Sequence, residues 1–284
     1  MNSDPNRLLL FGCGFLGSRV AQRWLEQGGT VAAVTRSAEK AARLIVQGIE
    51  PIVAELMRPE TLGSLPSASR VLYCVGYDRS GGASKETLYL DGLTHVLNAL
   101  QGRIDRFVYV SSSSVYGQDD GSWVDEASPT EPITEGGRIC LAAERRLRER
   151  VAGEVILRMS GLYGPGRLLA RVDQLQAGEP IGGNPEAWLN LIHGDDAARA
   201  CVVALTAPNP GPLYLVSDDR PLSRRDYFST LARQVGAPSP QFSGAPTSRH
   251  TPDGLNKRCR NQRVKQEFQM EWLHPEITQG LPDP

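Results

Sequence analysis

The first half of this 284-residue chain alternates short apolar segments with longer amphipathic ones. The predicted strands are Leu8–Phe11, Thr30–Thr35, Pro51–Ala54, Val71–Val75 and Arg106–Ser111, and the predicted helices between them are Leu16–Gln27, Glu39–Gln47 and Glu86–Leu100. Strands that are apolar on both faces are typical of a parallel sheet covered by helices on each side. The pattern therefore predicts an α/β fold with a doubly wound parallel sheet.

The sequence changes character after Gly164, where glycine and proline become frequent. Segments such as "AGEPIGGNPEAW" and "APSPQFSGAPTSRHTPDG" disfavour long helices, although Asp195–Leu205 and Ser223–Val235 keep a helical pattern. We therefore expect a dinucleotide-binding domain of Rossmann type over residues 1–165, to which later strands and helices partly return. A smaller, loop-rich α/β region over residues 166–284 is expected to bind the substrate.

Composition excludes several classes of partner. The chain has 31 Lys and Arg against 32 Asp and Glu, a net charge of -1, so no global field favours nucleic acid or an anionic membrane surface. No apolar run approaches the length that spans a bilayer. Five cysteines lie far apart, without metal-ligand spacing, and scattered thiols suit a reducing compartment. We expect a cytoplasmic protein with no structural metal.

A glycine motif lies directly after the first predicted strand. Gly12, Gly14 and Gly17 form G-x-G-x-x-G, with Phe15 and Leu16 between the last two, and the motif opens a predicted helix. This spacing lets the chain turn tightly and directs backbone amides and a helix N-terminus at a pyrophosphate. We expect these five residues to bind a dinucleotide, so the fold is predicted to be of Rossmann type.

The end of the second strand bears on which dinucleotide binds. A carboxylate there would hold the ribose hydroxyls of NAD, whereas an arginine would pair with the 2′-phosphate of NADP. The sequence offers Thr35 and Arg36, and no acid occurs before Glu39. Arg36 therefore favours NADP over NAD, and the alternative is a solvated cation at the strand end.

Several further stretches resemble the extended short-chain dehydrogenase/reductase superfamily, in its NAD-dependent epimerase/dehydratase group. They are "LLLFGCGFLGSRVAQRWLEQG", "RFVYVSSSSVYG", "WVDEASPTEP", "EVILRMSGLYGPGR" and "LNLIHGDDAARACVVAL", in the order typical of that group. The resemblance implies that Ser112 is the catalytic serine, which hydrogen-bonds the reacting oxygen. It also implies that Val75 and Gly76 lie beside the cofactor, and that Glu55 lies near the adenine unless it is a solvated loop carboxylate.

The same family implies a Tyr-x-x-x-Lys pair on the next helix, with both side chains on one face. The tyrosine exchanges a proton with the substrate, while the lysine binds the nicotinamide ribose and lowers the tyrosine pKa. Aligning "GGRICLAAE" with the family pattern "YGRTKLAAE" puts Gly136 at the tyrosine and Cys140 at the lysine. Neither residue can do this work.

No shifted alignment supplies the missing pair. Tyrosine is absent between Tyr116 and Tyr163, and lysine is absent between Lys85 and Lys257. We expect Tyr116 and Tyr163 to brace their turns and Cys140 to be buried.

Four other polar features have structural interpretations. His193 is expected to pack, and Asp195 and Asp196 are expected to cap the helix that follows them. The run Glu144–Arg150 alternates in charge and predicts a solvated or subunit-contact face.

Two functions remain open at this point. One is an atypical oxidoreductase or epimerase that uses NADP or NAD on a sugar-nucleotide-like or other small carbonyl or hydroxyl substrate. The other is a non-catalytic NAD(P)-binding sensor or scaffold. The family also suggests a homodimer through the helices near residues 86–100 and 137–151.

Overall fold

The computed structural model describes residues 4, 6–78, 81–100, 104–167, 169–243 and 255–281. Most of the irregular stretch predicted near residue 245 lies outside these ranges, because residues 244–254 are not among them.

The central strands are short and the helices follow them in alternation. The strands are β1 (Arg7–Phe11), β2 (Thr30–Thr35), β3 (Glu50–Val53), β4 (Arg70–Tyr73), β5 (Arg106–Ser112), β6 (Trp123–Val124), β7 (Val155–Met159), β8 (Gly161–Tyr163), β9 (Trp188–Leu189), β10 (Leu191–His193), β11 (Leu213–Val216), β12 (Leu222–Ser223) and β13 (Arg258–Cys259). The helices are α1 (Phe15–Glu26), α2 (Ala38–Val46), α3 (Lys85–Ala99), α4 (Glu135–Arg148), α5 (Leu169–Gln176), α6 (Gly194–Thr206), α7 (Arg224–Gln234), α8 (Gln262–Phe268) and α9 (Ile277–Gly280).

Seven strands form one sheet in the order β11-β7-β5-β4-β1-β2-β3. β1 pairs in parallel with both β2 and β4, and the parallel pairing continues from β2 to β3 and from β4 to β5. The order therefore reverses at β1, which is the switch point of a doubly wound sheet and the place where such sheets bind ligands. The predicted α/β fold with a Rossmann-type parallel sheet is confirmed.

Local sequence explains where these elements begin and end. Leu8, Leu9 and Leu10 are completely buried in β1, as expected for a strand covered on both faces. Helix α2 begins after Ser37, whose hydroxyl accepts a hydrogen bond from the Lys40 amide, and α7 begins after Ser223 in the same way. Serine at this position satisfies an amide that the helix leaves unpaired.

The chain divides into two compact units, each made of several segments. The first unit comprises Met1–Ser111, Ile139–Arg158 and Ala198–Tyr214, and the second comprises Ser112–Arg138, Met159–Ala197 and Leu215–Pro284. The first has a core of strand and helix side chains around Tyr73, whose ring lies 5.7 Å from that of Tyr109. The second has a separate core around Tyr227 and Phe228. The boundary near residue 165, and a substrate-binding role for residues 166–284, stay predictions.

Across the described ranges, no helix combines the length and the apolarity that crossing a membrane requires.

Candidate functional site

The glycine loop of the first unit joins β1 to α1 by a turn that only small residues allow. Gly12 has a φ of 98°, and a Cβ at this position would lie 2.5 Å from the Cys74 carbonyl oxygen. A Cβ on Gly17 would lie inside van der Waals contact with the Gly12 carbonyl oxygen. These two glycines therefore hold the loop against the end of β4 and hold α1 against the loop.

Gly14 is different, because a Cβ there would meet no atom of the described residues within 4 Å. Helix α1 begins immediately after it, with Phe15 and Leu16, and its first turn contains no acidic residue. No side chain caps this helix start within the part of the chain that the structure describes. Open space in front of uncapped helix amides fits a pyrophosphate, since a helix N-terminus attracts negative charge.

The end of β4 lies directly beside this loop. The Cys74 amide donates to the Phe11 carbonyl oxygen (2.9 Å), and the Cys74 thiol donates to the Gly12 carbonyl oxygen (3.1 Å). Val75 follows at the loop and is half-buried, while a Cβ on Gly76 would meet open space. The structure therefore brings Val75 against the glycine motif. The predicted place of Val75 and Gly76 beside a cofactor stays a prediction.

Thr35 and Arg36 lie at the end of β2. Thr35 is buried, and its carbonyl oxygen accepts a hydrogen bond from the Ala54 amide (3.0 Å). The guanidinium of Arg36 pairs with the Asp78 carboxylate (2.8 Å), and both side chains are about half exposed. An exposed pair of this kind is worth at most about 1 kcal/mol, so Asp78 holds the Arg36 guanidinium only weakly.

Glu55 follows β3 at the same edge of the sheet. Its amide donates to the Thr61 hydroxyl (3.0 Å), which fixes the backbone, and its carboxylate lies 3.3 Å from the Arg58 guanidinium. The carboxylate is thus a partly exposed loop group with a neighbouring cation. Its predicted place near the adenine stays a prediction.

Ser112 ends β5 and belongs to the second unit. Its hydroxyl accepts a hydrogen bond from the Ser114 amide (3.1 Å) at the start of a short 3₁₀ turn. The hydroxyl is half-buried and retains its own proton for donation. The catalytic role of Ser112 stays a prediction.

Helix α4 carries Gly136 and Cys140 one turn apart, where the family pattern has tyrosine and lysine. Cys140 is buried, as expected, in the first unit with Tyr89 and Tyr109. Burial, with a smaller contribution from Cys140, raises the pKa of both tyrosines. A lysine at this position would lower a tyrosine pKa, so the electrostatic environment is the opposite of the one that the family's proton transfer needs.

The prediction of a solvated face over Glu144–Arg150 is wrong for Glu144. Its side chain is completely buried, where it accepts a hydrogen bond from the Ser111 hydroxyl (2.6 Å) and pairs with Arg158 (2.6 Å). The sequence pattern misses this, because Arg158 comes from β7 and the pair forms only on folding. Arg145, Glu149 and Arg150 are exposed, as predicted.

His193 packs in the second unit as expected, with its ring 5.2 Å from that of Tyr163 and 3.8 Å from that of His274. Its Nδ1 accepts a hydrogen bond from the Asp195 amide (3.2 Å). The Asp196 carboxylate accepts hydrogen bonds from the amides of Leu273 and His274 (2.8 Å each). Capping of α6 by Asp195 and Asp196 stays a prediction.

Metal ligation was not expected, yet one set of side chains in this unit has ligand atoms close together. His193, Asp195 and His274 each offer a ligand atom within 4.8 Å of the others. Both histidines already use Nδ1 in protein hydrogen bonds, His193 with Asp195 and His274 with the Gln279 carbonyl oxygen (3.0 Å). These hydrogen bonds explain why the three side chains lie close together. They belong to the packing of the start of α6 against the C-terminal segment that contains His274.

Sequence reasoning missed two buried ionisable groups in the second unit. Asp218, after β11, is 1% exposed, and Lys257, before β13, is 5% exposed. Burial raises the pKa of Asp218 to about 8 and lowers the pKa of Lys257. Nothing in the local sequence distinguishes them from surface charges, because Asp218 begins the charged run Asp218–Arg220 after a strand and Lys257 follows a turn-rich segment.

Comparison with known proteins agrees with this geometry. The NAD dependent epimerase/dehydratase family matches residues 8–216. Protein YeeZ of Escherichia coli (strain K12) is 30% identical over 282 residues, which is 95% of this chain and 97% of that protein.

Two solved structures share the fold. UDP-glucose 4-epimerase of Thermotoga maritima with UDP-glucose has a TM-score of 0.80 at 17% identity. UDP-glucuronic acid 4-epimerase of Bacillus cereus, in complex with UDP-glucuronic acid and NAD, has a TM-score of 0.79 at 20% identity. Each comparison covers 96% of both chains. The chain therefore belongs to the NAD-dependent epimerase/dehydratase family.

Proposed function

We propose that this protein binds NADP(H) or NAD(H) and acts as an oxidoreductase of the epimerase/dehydratase type. Its substrate is a sugar nucleotide or another small carbonyl or hydroxyl compound. The observation that carries the proposal is the open space at Gly14 in front of the uncapped start of α1. A side chain at Gly14 would fill the space that a pyrophosphate needs.

Gly12, Gly14, Phe15, Leu16 and Gly17 would hold the pyrophosphate through backbone amides and the start of α1. Val75 and Gly76 would line the site with small or apolar surface, and Glu55 would lie near the adenine. When bound, the dinucleotide supplies hydride exchange. The Ser112 hydroxyl would orient the substrate oxygen by donating a hydrogen bond to it.

Arg36 supports a preference for NADP. Its guanidinium needs to give up only the exposed Asp78 carboxylate in order to bind a 2′-phosphate bidentately. No carboxylate occurs at the end of β2 to repel that phosphate.

Calorimetric titration with NADPH and NADH tests the proposal. NADPH should bind more tightly than NADH, and Arg36→Ala should remove the difference. Arg43→Ala is the matched control, because Arg43 is an exposed arginine paired with Glu39 on α2. Gly14→Asp should abolish the binding of both dinucleotides. If wild-type protein binds neither, the proposal is wrong.

A second function is favoured by a specific observation on α4. Gly136 and Cys140 replace the proton-transfer pair of the family, so the protein could bind a dinucleotide as a sensor or scaffold without catalysis. A measurement of turnover distinguishes the enzyme from the non-catalytic sensor or scaffold. Consumption of bound NADPH with a carbonyl substrate would support the enzyme, and binding without consumption across a substrate panel would support the sensor.

A further inference from the structure

An ion pair in the first unit joins the loops on either side of the glycine loop. Arg36 follows β2, Asp78 lies in the loop after β4, and the Arg36 Nη2 atom is 2.8 Å from the Asp78 carboxylate. In the sheet, β1 lies between these two strands and pairs in parallel with both. The ion pair therefore connects loops whose strands are about 10 Å apart, two strand spacings, across the carboxyl end of β1.

The turn that contains Asp78 has a second contact with the same guanidinium. The Gly81 amide donates to the Asp78 carbonyl oxygen (3.0 Å), which closes the turn. A Cβ on Gly81 would lie 2.6 Å from Arg36 Nη1, so a side chain at this position would displace the guanidinium. One nitrogen of Arg36 thus contacts the Asp78 carboxylate while the other lies against Gly81. The carboxylate and the missing side chain together determine where the guanidinium lies.

This ion pair lies at the edge of the sheet where the dinucleotide is proposed to bind. The carboxyl ends of β1, β2 and β4 lie at one edge, because the three strands are parallel, and the glycine loop begins there with Gly12. In sheets of this topology the adenosine ribose of a bound dinucleotide lies at the end of the second strand. Arg36 occupies that position, so the contact with Asp78 involves the cation that a 2′-phosphate would need.

Asp78 and a 2′-phosphate would compete for Arg36. A guanidinium has five donors, so hydrogen bonding alone would let it contact both anions. Electrostatic repulsion opposes this arrangement, because a phosphate held by Arg36 would lie close to the Asp78 carboxylate, and like charges at short distance repel. NAD has a hydroxyl group in place of the phosphate and creates no such repulsion. The carboxylate therefore disfavours NADP without disfavouring NAD.

We propose that Asp78 is a specificity-determining residue of the dinucleotide site. Its carboxylate holds the Arg36 guanidinium in the protein without dinucleotide, and binding of NADP requires the guanidinium to move from Asp78 to the 2′-phosphate. NAD binds without this exchange. Asp78 thus narrows the difference in affinity that Arg36 creates between the two dinucleotides. The inference rests on the proposed function, because it requires a dinucleotide at the glycine loop.

Calorimetric titration of the full-length chain with NADPH and NADH tests the role of Asp78. Asp78→Asn should raise the affinity for NADPH relative to NADH by about 2- to 5-fold, the range that an exposed ion pair allows. Glu39→Gln is the matched control, because it removes the same charge from an exposed carboxylate that pairs with Arg43. It should leave the affinity ratio at the wild-type value. An unchanged ratio in Asp78→Asn, or an equal rise in Glu39→Gln, would overturn the proposal.

A double substitution tests whether Asp78 acts through Arg36. In the Arg36→Ala background there is no guanidinium for the carboxylate to hold, so adding Asp78→Asn should not change the ratio of NADPH to NADH affinity. The comparison of the single and double variants isolates the interaction between the two side chains. A rise in the double variant as large as that in Asp78→Asn alone would overturn the proposal, because Asp78 would then act independently of Arg36.

Modification by phenylglyoxal measures the ion pair without any dinucleotide. Wild type, Asp78→Asn and Gly81→Ala are treated for short times, and the reaction rate of each arginine is read by peptide mass spectrometry. Arg36 should react about 2- to 5-fold faster in Asp78→Asn, because its guanidinium is released from the ion pair. Gly81→Ala should also speed the reaction while keeping the Asp78 charge, and Arg43 should react at one rate in all three proteins. Equal Arg36 rates in wild type and Asp78→Asn would overturn the proposal.

The outcomes separate the two proposals. If wild type binds both dinucleotides and the affinity ratio does not respond to Asp78→Asn, the role of Asp78 is overturned and the proposed function stands. If wild type binds neither NADPH nor NADH, the proposed function is wrong and the role of Asp78 in specificity is overturned with it. A raised affinity ratio in Asp78→Asn that disappears in the Arg36→Ala background, together with faster modification of Arg36, supports both.

Discussion

Arg158 and Glu144 form an ion pair that folding removes almost completely from water. The Arg158 side chain is 3% exposed, the Glu144 side chain is not exposed at all, and Ser111 adds a hydrogen bond to the carboxylate. A pair of this kind contributes little net free energy compared with apolar residues, but either partner left alone becomes a buried unpaired charge. Position 144 therefore requires a carboxylate as long as Arg158 is present.

Glu144→Gln should lower the free energy of unfolding by about 3–5 kcal/mol, because it removes the carboxylate that pairs with the buried Arg158 guanidinium. Glu149→Gln is the control, since Glu149 lies on the same helical region and is exposed. Its effect should stay within about 0.5 kcal/mol. Urea unfolding followed by circular dichroism measures both. Equal stability of the two variants would contradict the buried ion pair.

Asp218 gives the stability of the protein a dependence on pH. Burial raises its pKa to about 8, whereas in the unfolded chain an aspartate has a pKa near 4. Between these values the unfolded state has released the proton and the folded state still holds it. The free energy of unfolding therefore falls as pH rises from about 4 to about 8, by up to about 5 kcal/mol at 1.4 kcal/mol per pKa unit.

Asp218→Asn should remove this dependence, so the wild type should lose more stability than the variant between pH 5 and pH 8. The neighbouring residue provides the control. Asp219 is exposed and pairs with Lys265, and its charge makes only a lesser contribution to the raised pKa of Asp218, so Asp219→Asn should keep most of the wild-type slope. The midpoints of urea unfolding at pH 5 and pH 8 measure this loss of stability for the wild type and both variants. A wild-type slope in Asp218→Asn would show that this carboxyl group is ionised in the folded protein.

At the scale of elements, the three glycines of the β1–α1 loop have different physical reasons to be glycine. Gly12 needs a positive φ, Gly17 needs close packing of the helix on the loop, and Gly14 faces open space, which the proposed function assigns to a ligand. The motif alone does not separate these requirements, since all three positions look equivalent in sequence.

Substitution by alanine should separate them. In the absence of any ligand, Gly17→Ala should destabilise the protein by about 1–3 kcal/mol. The reason is that its Cβ would overlap the Gly12 backbone carbonyl group, which cannot shift without distorting the loop. Gly14→Ala should leave the stability within about 0.5 kcal/mol and weaken dinucleotide binding instead. Thermal unfolding and calorimetric titration of both variants measure the two effects. Strong destabilisation by Gly14→Ala would contradict the open space in front of α1.

Long, regular elements could be predicted from the sequence to within about two residues. β2 has the predicted bounds Thr30–Thr35, and α3 (Lys85–Ala99) differs by one residue at each end from its prediction. Hydrophobic periodicity and serine caps determine such elements locally. The short elements α5, α8 and β13 were not predicted, because a few residues carry no periodicity and their conformation depends on contacts with distant segments.

At the scale of the whole molecule, the candidate site also has one part that could be predicted from the sequence and one part that could not. The turn of the glycine loop was predictable, because the spacing of its three glycines has a direct geometric meaning. Lys257 and Asp218 were not, because their burial arises from segments far apart in the chain that assemble within the second unit. The missing tyrosine and lysine on α4 could be read directly from the sequence, because the absence holds in every alignment.

The cofactor should also stabilise the entire fold if the proposed function is correct. A ligand that binds only the folded state adds RT ln(1 + [L]/Kd), which is about 2.7 kcal/mol at a concentration 100 times Kd. The free energy of unfolding should therefore rise with NADPH concentration, and the rise should begin near the Kd found by calorimetry. Gly14→Asp should show no rise, because its carboxylate occupies and repels the pyrophosphate position at the start of α1. Since stabilisation requires binding but no turnover, the same result is expected whether the protein is an enzyme or a sensor, and its absence in wild type would exclude both.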